Sequence, residues 1–581
     1  MNTRTYPKGS EFAAPQQAAA SWATTRPQGR LGQTAKLIHA SLQNIQTQSL
    51  PPAEYFRTLE ALRNNAHYVT VNMRKHFAGQ TYPLPDKLLR IAAACRAIYD
   101  AMSSGYSAIH AAIQHTHCDN AIHITSLHRA IYYLGQSLIN TYEVYTSYHE
   151  QYWQQLHQLY WFAEQHALLD KPVIDALQQN STIKHEYLKT ILLYMAEPYQ
   201  LRNGEIDQVI SHLPRWQKHI QLQRRDTIAE LAVLEAPIID LKSDQPPQTV
   251  SNIDEAHQAD TYRVINTNNL IELLQQEQTE LVERQQSLQS IEQKSPITIG
   301  LLRRLIESWG LNKRRRFPRQ QVRTPINATL GLHNTHMQLV YENHLAQTAT
   351  KKHAYSGFHQ KPALEMTRFT DMNPEQDDIW TTVYAWANDN TTQTPQQSAT
   401  PNILDYRVKQ DNWTLLNEST DGFCLMCADT QHEQIQIGDL VSIQRKDQTN
   451  RRLVGMVRWL KPHGQNGIEI GAMLLAQNAT PISLIVDDSS GDKIVDRGLI
   501  LPLLQILNRP ESLITFSQRH QPGDILQITQ TGKPAIKIKL FKLIYSNEVL
   551  NQFLFTPLAD DTTNDDTKKT SDTFEDVWSS L

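Results

Sequence analysis

Residues 453–460 read LVGMVRWL and residues 467–475 read GIEIGAMLL. In the first run Val454, Met456, Arg458 and Leu460 alternate with Leu453, Gly455, Val457 and Trp459. In the second, Ile468, Ile470, Ala472 and Leu474 recur at every other position. A period of two belongs to a strand, whose successive side chains leave on opposite faces. Asn466-Gly467 lies between the runs and suits a tight hairpin, because both positions tolerate positive φ. Together these features predict antiparallel β structure.

Strand signals extend in both directions. Ile326, Ala328, Leu330 and Leu332 alternate with Asn327, Thr329, Gly331 and His333, and Ile536, Ile538 and Leu540 alternate with Lys537 and Lys539. The β region therefore runs from about 313 to 478, and a second small β domain is expected at 481–560. Within the first of these lies a polar insertion at 345–405, where NDNTTQTPQQSATP has almost no apolar content and reads as a disordered excursion.

Upstream the period is helical. Leu127, Ile131, Leu134 and Leu138 fall at i, i+4, i+7 and i+11, one face of a helix. Leu188, Ile191, Leu192 and Met195 mark a second helix, and Ile206, Val209, Ile210 and Leu213 a third. Residues 33–222 are thus expected to form an all-helical bundle or repeat-like domain, preceded by a flexible tail at 1–32. Residues 223–262, containing LKSDQPPQTVSNIDEAHQAD, read as a linker, and 263–312 as connecting helices. Leu274, Leu281 and Leu288 recur every seventh residue, with Leu270 and Ile291 nearby. That spacing is compatible with a short homodimeric seam over 265–291, or with a helix lying on a neighbouring domain. The fold class is a multidomain α plus β protein.

Composition limits the function classes. The 581 residues are 40% hydrophobic and 20% charged, with a formal net charge of −4, so any anion site must come from local clustering. Four cysteines are too few for a disulfide scaffold. No apolar run approaches the roughly 20 residues of a membrane span, and no signal-peptide core opens the chain, so a cytoplasmic protein is expected. His110, His115, His117, Cys118, Asp119, His123 and His128 crowd one region, but their spacing matches no defined zinc pattern. Cys424 and Cys427 form CxxC within a predicted strand, where residues three apart face opposite ways. Phosphate-cradling GxxxxGK[ST], HExxH and nucleophile-elbow motifs are lacking. No catalytic residue, metal or cofactor is expected. An acidic tail at 561–581 carries Phe574, Val577 and Trp578 as a candidate docking motif.

Two local features carry the functional reading. The first is Lys313-Arg314-Arg315-Arg316-Phe317-Pro318-Arg319, followed by Arg323. Pro318 excludes regular helix and pushes Phe317 toward extended geometry, so the arginines lie on a lead-in rather than one helical face. Their forked guanidinium groups suit phosphate oxygens and stack on purines. The second is Asn417-Glu418-Ser419-Thr420-Asp421-Gly422, a turn between two strands. There Asn417 offers donor and acceptor, Ser419 a hydroxyl, and Gly422 positive φ and room for a ligand.

In combination these features resemble the PilZ family of cyclic di-GMP receptors, whose signature is RxxxR before the first strand of a six-stranded antiparallel β-barrel and [D/N]xSxxG on a later turn. Arg315 and Arg319 match the first motif; Asn417, Ser419 and Gly422 match the second. Arg319 and Arg323 also fit an RxxxR register. The resemblance covers roughly 313–478 and implies a receptor rather than an enzyme. It implies that Arg315 and Arg319 grip phosphates and guanines, that Asn417 reads a guanine edge, that Ser419 bonds a phosphate, and that Gly422 keeps the turn open, with Arg314, Arg316 and Arg323 as auxiliaries. Nearly a hundred residues separate the motifs here, against a few tens in the family. A barrel tolerates such an insertion because loop closure costs little per added residue. A protein partner is expected at the helical domain, and 481–560 is a candidate degenerate barrel. Competing readings are a nucleic-acid patch at 313–323, with steep salt dependence, and a scaffold without ligand.

Overall fold

The computed structural model describes residues 31–114, 120–174, 180–224, 236–248, 259–287, 297–310, 317–352, 413–428, 434–446, 451–463, 467–487, 493–516, 519–530, 533–547 and 549–558. Seven helices open it: α1 (Leu31–Thr47), α2 (Pro52–Phe77), α3 (Asp86–Ile113), α4 (Asn120–Glu143), α5 (Tyr152–Gln165), α6 (Ile183–Met195) and α7 (Glu205–Trp216). The predicted face of Leu127, Ile131, Leu134 and Leu138 lies on α4, with no member more than 5% exposed. Thr182 starts α6 as an N-cap, its hydroxyl accepting from the His185 amide at 3.2 Å.

The expected linker is partly structured. Strands β1 (Gln221–Arg224), β2 (Ile238–Asp240) and β3 (Tyr262–Asn266) form a three-stranded sheet in the order β1-β3-β2. Its short runs, such as Ile238-Ile239 and Val264-Ile265, are buried, yet too brief for a period of two to stand out of a polar stretch. Helices α8 (Asn268–Ser287) and α9 (Ile299–Trp309) follow as connecting helices. Leu270 and Leu274 are fully buried in the core of the helical domain, and Leu281 packs against it. Leu270 and Leu274 thus serve intrachain packing, in keeping with a helix lying on a neighbouring domain, while Leu281 is only partly covered; Leu288 and Ile291 lie outside the described residues.

Two closed six-stranded antiparallel barrels complete the described residues. The first comprises β4 (Gln320–Leu330), β5 (Trp413–Glu418), β6 (Gly422–Cys427), β7 (Leu440–Arg445), β8 (Arg452–His463) and β9 (Gly467–Gln477), closed in the order β4-β5-β6-β9-β8-β7. The second comprises β10 (Thr480–Asp487), β11 (Lys493–Leu501), β12 (Ser512–Phe516), β13 (Ile525–Thr529), β14 (Ile536–Ser546) and β15 (Leu550–Pro557), in the order β10-β11-β12-β15-β14-β13. Shifting every label of the first order by six gives the second, so the two barrels share one topology.

Two local expectations change. Leu332 does not extend β4. Gly331 takes φ +82°, and a helix, α10 (Leu332–Lys352), begins there. Leu332, Thr335, His336 and Leu339 form its buried stripe, a helical pattern masked by polar neighbours. Most of the predicted insertion, 353–405, lies outside the described residues. Gly467 sits in a strand, paired with His463, and does not adopt positive φ. A Cβ there would fall 2.5 Å from the His463 carbonyl oxygen, so close approach is what requires glycine.

The domains are packed on one another. Leu332 and Leu339 of α10 join Leu440, Val454 and Met456 of the first barrel and Leu499, Leu501 and Leu550 of the second in one apolar cluster. The helical domain meets the first barrel through paired backbone bonds between Tyr82 and Ile435 (3.2 and 2.6 Å) and an Asn203–Gln436 side-chain bond of 3.2 Å. Among the described residues no helix is long and apolar enough to cross a membrane.

Candidate functional site

Strand pairing assembles the site. Gln320 and Gln321, at the start of β4, pair with Glu418 and Asn417 at the end of β5. Arg319, which Pro318 keeps out of a helix, is thereby carried to the β5–β6 turn. The turn is closed by the Ser419 amide donating to the Gly422 carbonyl at 2.8 Å, and the Ser419 hydroxyl donates to Asp421 Oδ1 at 2.6 Å. The Leu474 amide then holds the Asp421 carbonyl at 2.8 Å, fastening the turn to β9.

A cavity of about 270 Å³ opens beside this turn, lined by Phe317, Arg319, Ser419, Gly422, Arg458 and Trp459 among others. That volume is near the lower end for small-molecule sites. Arg319, Ser419 and Gly422 from the two motifs therefore meet in one place. Arg314, Arg315 and Arg316 lie outside the described residues. Asn417 is half-buried, paired with Gln321 and Cys424 within the sheet, and is not part of the lining. Arg323 is exposed, has φ +51° at an irregularity between Gln321 and Thr324, and is likewise away from the lining. Arg319, which both possible arginine registers share, lines the cavity, while its partner in one register, Arg315, lies outside the described residues and its partner in the other, Arg323, is away from the lining.

Gly422 is needed for a different reason than positive φ, which it does not adopt. A Cβ at this position would stand 2.5 Å from the Ala472 carbonyl oxygen. The glycine lets β6 and β9 approach closely and leaves the cavity floor bare.

Arg458, Trp459 and Asp421 also belong to the lining. The charge of Arg458 and the aromatic ring of Trp459 in the GMVRWL run were available signals, but strand alternation alone placed Arg458 on the same face as Val454 and Met456. The structure breaks that alternation: Val457 pairs with Ala472 and Trp459 with Gly471, leaving Arg458 as the extra residue of a β-bulge. The Trp459 indole occupies the space where a Gly471 Cβ would stand, and Lys461 Nζ lies 5.4 Å from its ring centre. Burial lowers the Arg458 pKa, and the Arg304 and Arg202 cations act in the same direction, against Tyr545 and Glu307. On the far side Arg509, from the β11–β12 connection, donates to the Leu474 carbonyl and so supports the residue that fastens the turn.

Cys424 and Cys427 are buried free thiols on β6, and burial pushes Cys424 up to about 11. In the histidine-rich region, His110 Nδ1 lies 2.9 Å from His123 Nε2, with Phe162 edge-on to the His110 ring. Burial pushes His110 down to about 4. His115, His117, Cys118 and Asp119 lie outside the described residues, and no metal-holding cluster occurs among those described.

Comparison with known proteins follows the same division of the chain. Three family models match in order: the N-terminal domain of the cyclic-di-GMP receptor FimW over residues 17–227, its middle PilZ domain over 237–481, and the FimW C-terminal β-barrel domain over 485–558. The chain belongs to the PilZ-domain family of cyclic di-GMP receptors. The cyclic-di-GMP receptor FimW of Pseudomonas aeruginosa is 25% identical over 546 residues, covering 88% of this chain and 86% of that protein. No solved structure shows a significant match. The PilZ-domain match spans β4–β9 and both motifs, and the C-terminal match falls on the second barrel.

Proposed function

We propose that this chain is a cyclic di-GMP receptor whose ligand seats at the cavity between the β4 lead-in and the β5–β6 turn. The observation that supports it best is convergence: Arg319, Ser419 and Gly422, nearly a hundred residues apart in sequence, line one cavity. The ligand carries two phosphodiester charges and two guanines. Arg319 supplies a forked cation for a phosphate or a guanine edge, and the Ser419 hydroxyl is a neighbouring hydrogen-bonding group. Arg315 is the matching second arginine, with Arg314, Arg316 and Arg323 as auxiliaries. Asn417 is assigned to a guanine edge extending beyond the cavity, which is small for the whole nucleotide. The role is binding, not catalysis, and the setting is a reducing, cytoplasmic one in which Cys424 and Cys427 stay as thiols.

The signal passes to a protein partner through the helical domain, because the Tyr82–Ile435 and Asn203–Gln436 contacts connect that domain to the ligand-bearing barrel. Calorimetry with cyclic di-GMP on the full chain tests the reading. Saturable binding by the wild type, abolished in Arg319→Ala and weakened in Ser419→Ala and Asn417→Ala, is expected. A folded wild type that takes up no nucleotide, or an Arg319→Ala protein that binds equally well, would overturn it.

A further inference from the structure

Arg458 is not part of either motif that identifies the family, yet three observations set it apart. It lines the cavity that holds Arg319 and Ser419. It is the extra residue of a β-bulge between Val457 and Trp459, a device that re-aims a side chain out of strand alternation. It also has no hydrogen bond or ion pair among the described residues, unlike the cations around it. Arg304 pairs with Glu205, Arg202 donates to the Tyr545 hydroxyl at 2.6 Å, and Arg509 holds the Leu474 carbonyl.

A half-buried guanidinium without a counterion is costly, and more so beside other cations. Arg202, Arg304 and Arg509 all act on Arg458 as like charges, while Glu307 is the carboxylate that opposes them. A purely structural role would be better served by an apolar side chain, as at Val454 and Met456 on the same strand. The cost is offset if an anion enters the cavity and completes the site.

We propose that Arg458 is a third cationic arm of the ligand site, gripping a phosphodiester oxygen from the β8 bulge while Arg319 acts from the β4 lead-in. The inference rests on the cyclic di-GMP reading above. Because Arg202 and Arg304 come from the helical domain and Arg509 from the connection leading into the second barrel's β12, the anion also relieves repulsion at the meeting point of all three domains. Occupancy of the site thereby tightens that junction.

The test is calorimetry with cyclic di-GMP on the full chain, comparing wild type, Arg458→Ala, Arg458→Gln, Arg458→Lys, Arg319→Ala and Arg202→Ala. Loss of one charge-assisted contact predicts an affinity drop on the order of 10- to 100-fold in Arg458→Ala and Arg458→Gln. Partial recovery is expected in Arg458→Lys, which keeps the charge but not the fork. Arg202→Ala, which removes a like charge outside the cavity, should bind at least as tightly as wild type. Arg458→Gln preserves polar bulk, so it carries the test where Arg458→Ala fails to fold. If wild type binds, Arg319→Ala does not, and Arg458→Gln binds within about twofold of wild type, the assignment of Arg458 is wrong while the receptor reading stands. If wild type itself binds nothing, both fall.

Discussion

Replacing Gly422 with alanine tests the geometry of the site most directly. The added Cβ would sit 2.5 Å from the Ala472 carbonyl oxygen, whereas ordinary contact begins at 3.4 Å, so the two groups must separate by 0.9 Å. Both sit on backbone, on strands paired through Gly422–Met473 and Phe423–Ala472, so no side-chain rotation relieves the clash. Overpacking of this kind costs about 1–3 kcal/mol. The bond from the Leu474 amide to the Asp421 carbonyl, 2.8 Å long, spans the same gap and is stretched with it. A local opening free energy lowered by about 2 kcal/mol makes the Leu474 amide exchange hydrogen roughly 30-fold faster. Native-state hydrogen exchange on the full chain reads this at a single amide, without requiring two-state unfolding of three domains. Cyclic di-GMP affinity should fall with it, since the turn carrying Ser419 moves. Gly422→Asn discriminates the cause. If positive φ were the requirement, asparagine would be tolerated; if room is the requirement, it is at least as damaging as alanine. Unchanged exchange at Leu474 in Gly422→Ala, or rescue by asparagine, would refute the close-approach argument.

Three further outcomes are expected. Gly471→Ala must expel the Trp459 indole from the surface it covers, shifting the Trp459 Nε1–H resonance and weakening cyclic di-GMP binding while the helical domain melts as before. Arg509→Ala removes the donor to the Leu474 carbonyl and should accelerate Leu474 amide exchange several-fold, for a net loss of about 1 kcal/mol, although Arg509 is not itself part of the cavity lining. His157 is fully buried, bonded to the Tyr187 hydroxyl at 2.8 Å and the Gln245 carbonyl at 2.9 Å, and burial pushes its pKa down to about 4. The unfolded chain, with an ordinary imidazole, binds a proton that the folded one refuses between pH 6.5 and about 4. This contribution to stability is therefore complete above pH 6.5 and shrinks by about 1.4 kcal/mol per unit as pH falls through that window. Urea unfolding of the helical domain at pH 7 and pH 5 should show a drop about 2 kcal/mol smaller in His157→Gln than in wild type.

What could be read from the sequence follows from the physics of each signal. The α4 stripe and the β8–β9 alternation are repeated over enough residues to exceed local noise, and both elements stand where they were expected. Short strands such as Ile238–Asp240 do not accumulate a period, so the small sheet read as linker. Helix α10 was hidden because its buried stripe includes Thr335 and His336, which a hydrophobicity count treats as polar. The heptad of Leu274 and Leu281 was real, but spacing does not say which surface a stripe meets, and here it meets the chain's own helical core. In the site, motif spacing located Arg319, Ser419 and Gly422. Arg458 escaped because a bulge shifts side-chain direction by one residue, and nothing in an alternating run announces where the extra residue lies.

The shared strand order explains why the second barrel carries no matching motif. The counterpart of the β5–β6 turn is the β11–β12 connection, residues 502–511. In the first barrel that turn is polar and open to the cavity. In the second it is packed against the first barrel: Leu504 joins the first barrel's core cluster, Leu507 packs beside it, and Arg509 reaches the Leu474 carbonyl. Leu503 and Ile506 stay exposed, but with Leu504 buried in the first barrel and Arg509 engaged, the loop has no free cation or polar turn to offer a nucleotide. The same topological position thus carries the proposed ligand turn in one barrel and supports that turn in the other, which would tie the stability of the second barrel to the affinity of the first. A substitution that unfolds the second barrel alone is therefore expected to weaken nucleotide binding through Leu474 and Asp421, without altering any residue that lines the cavity.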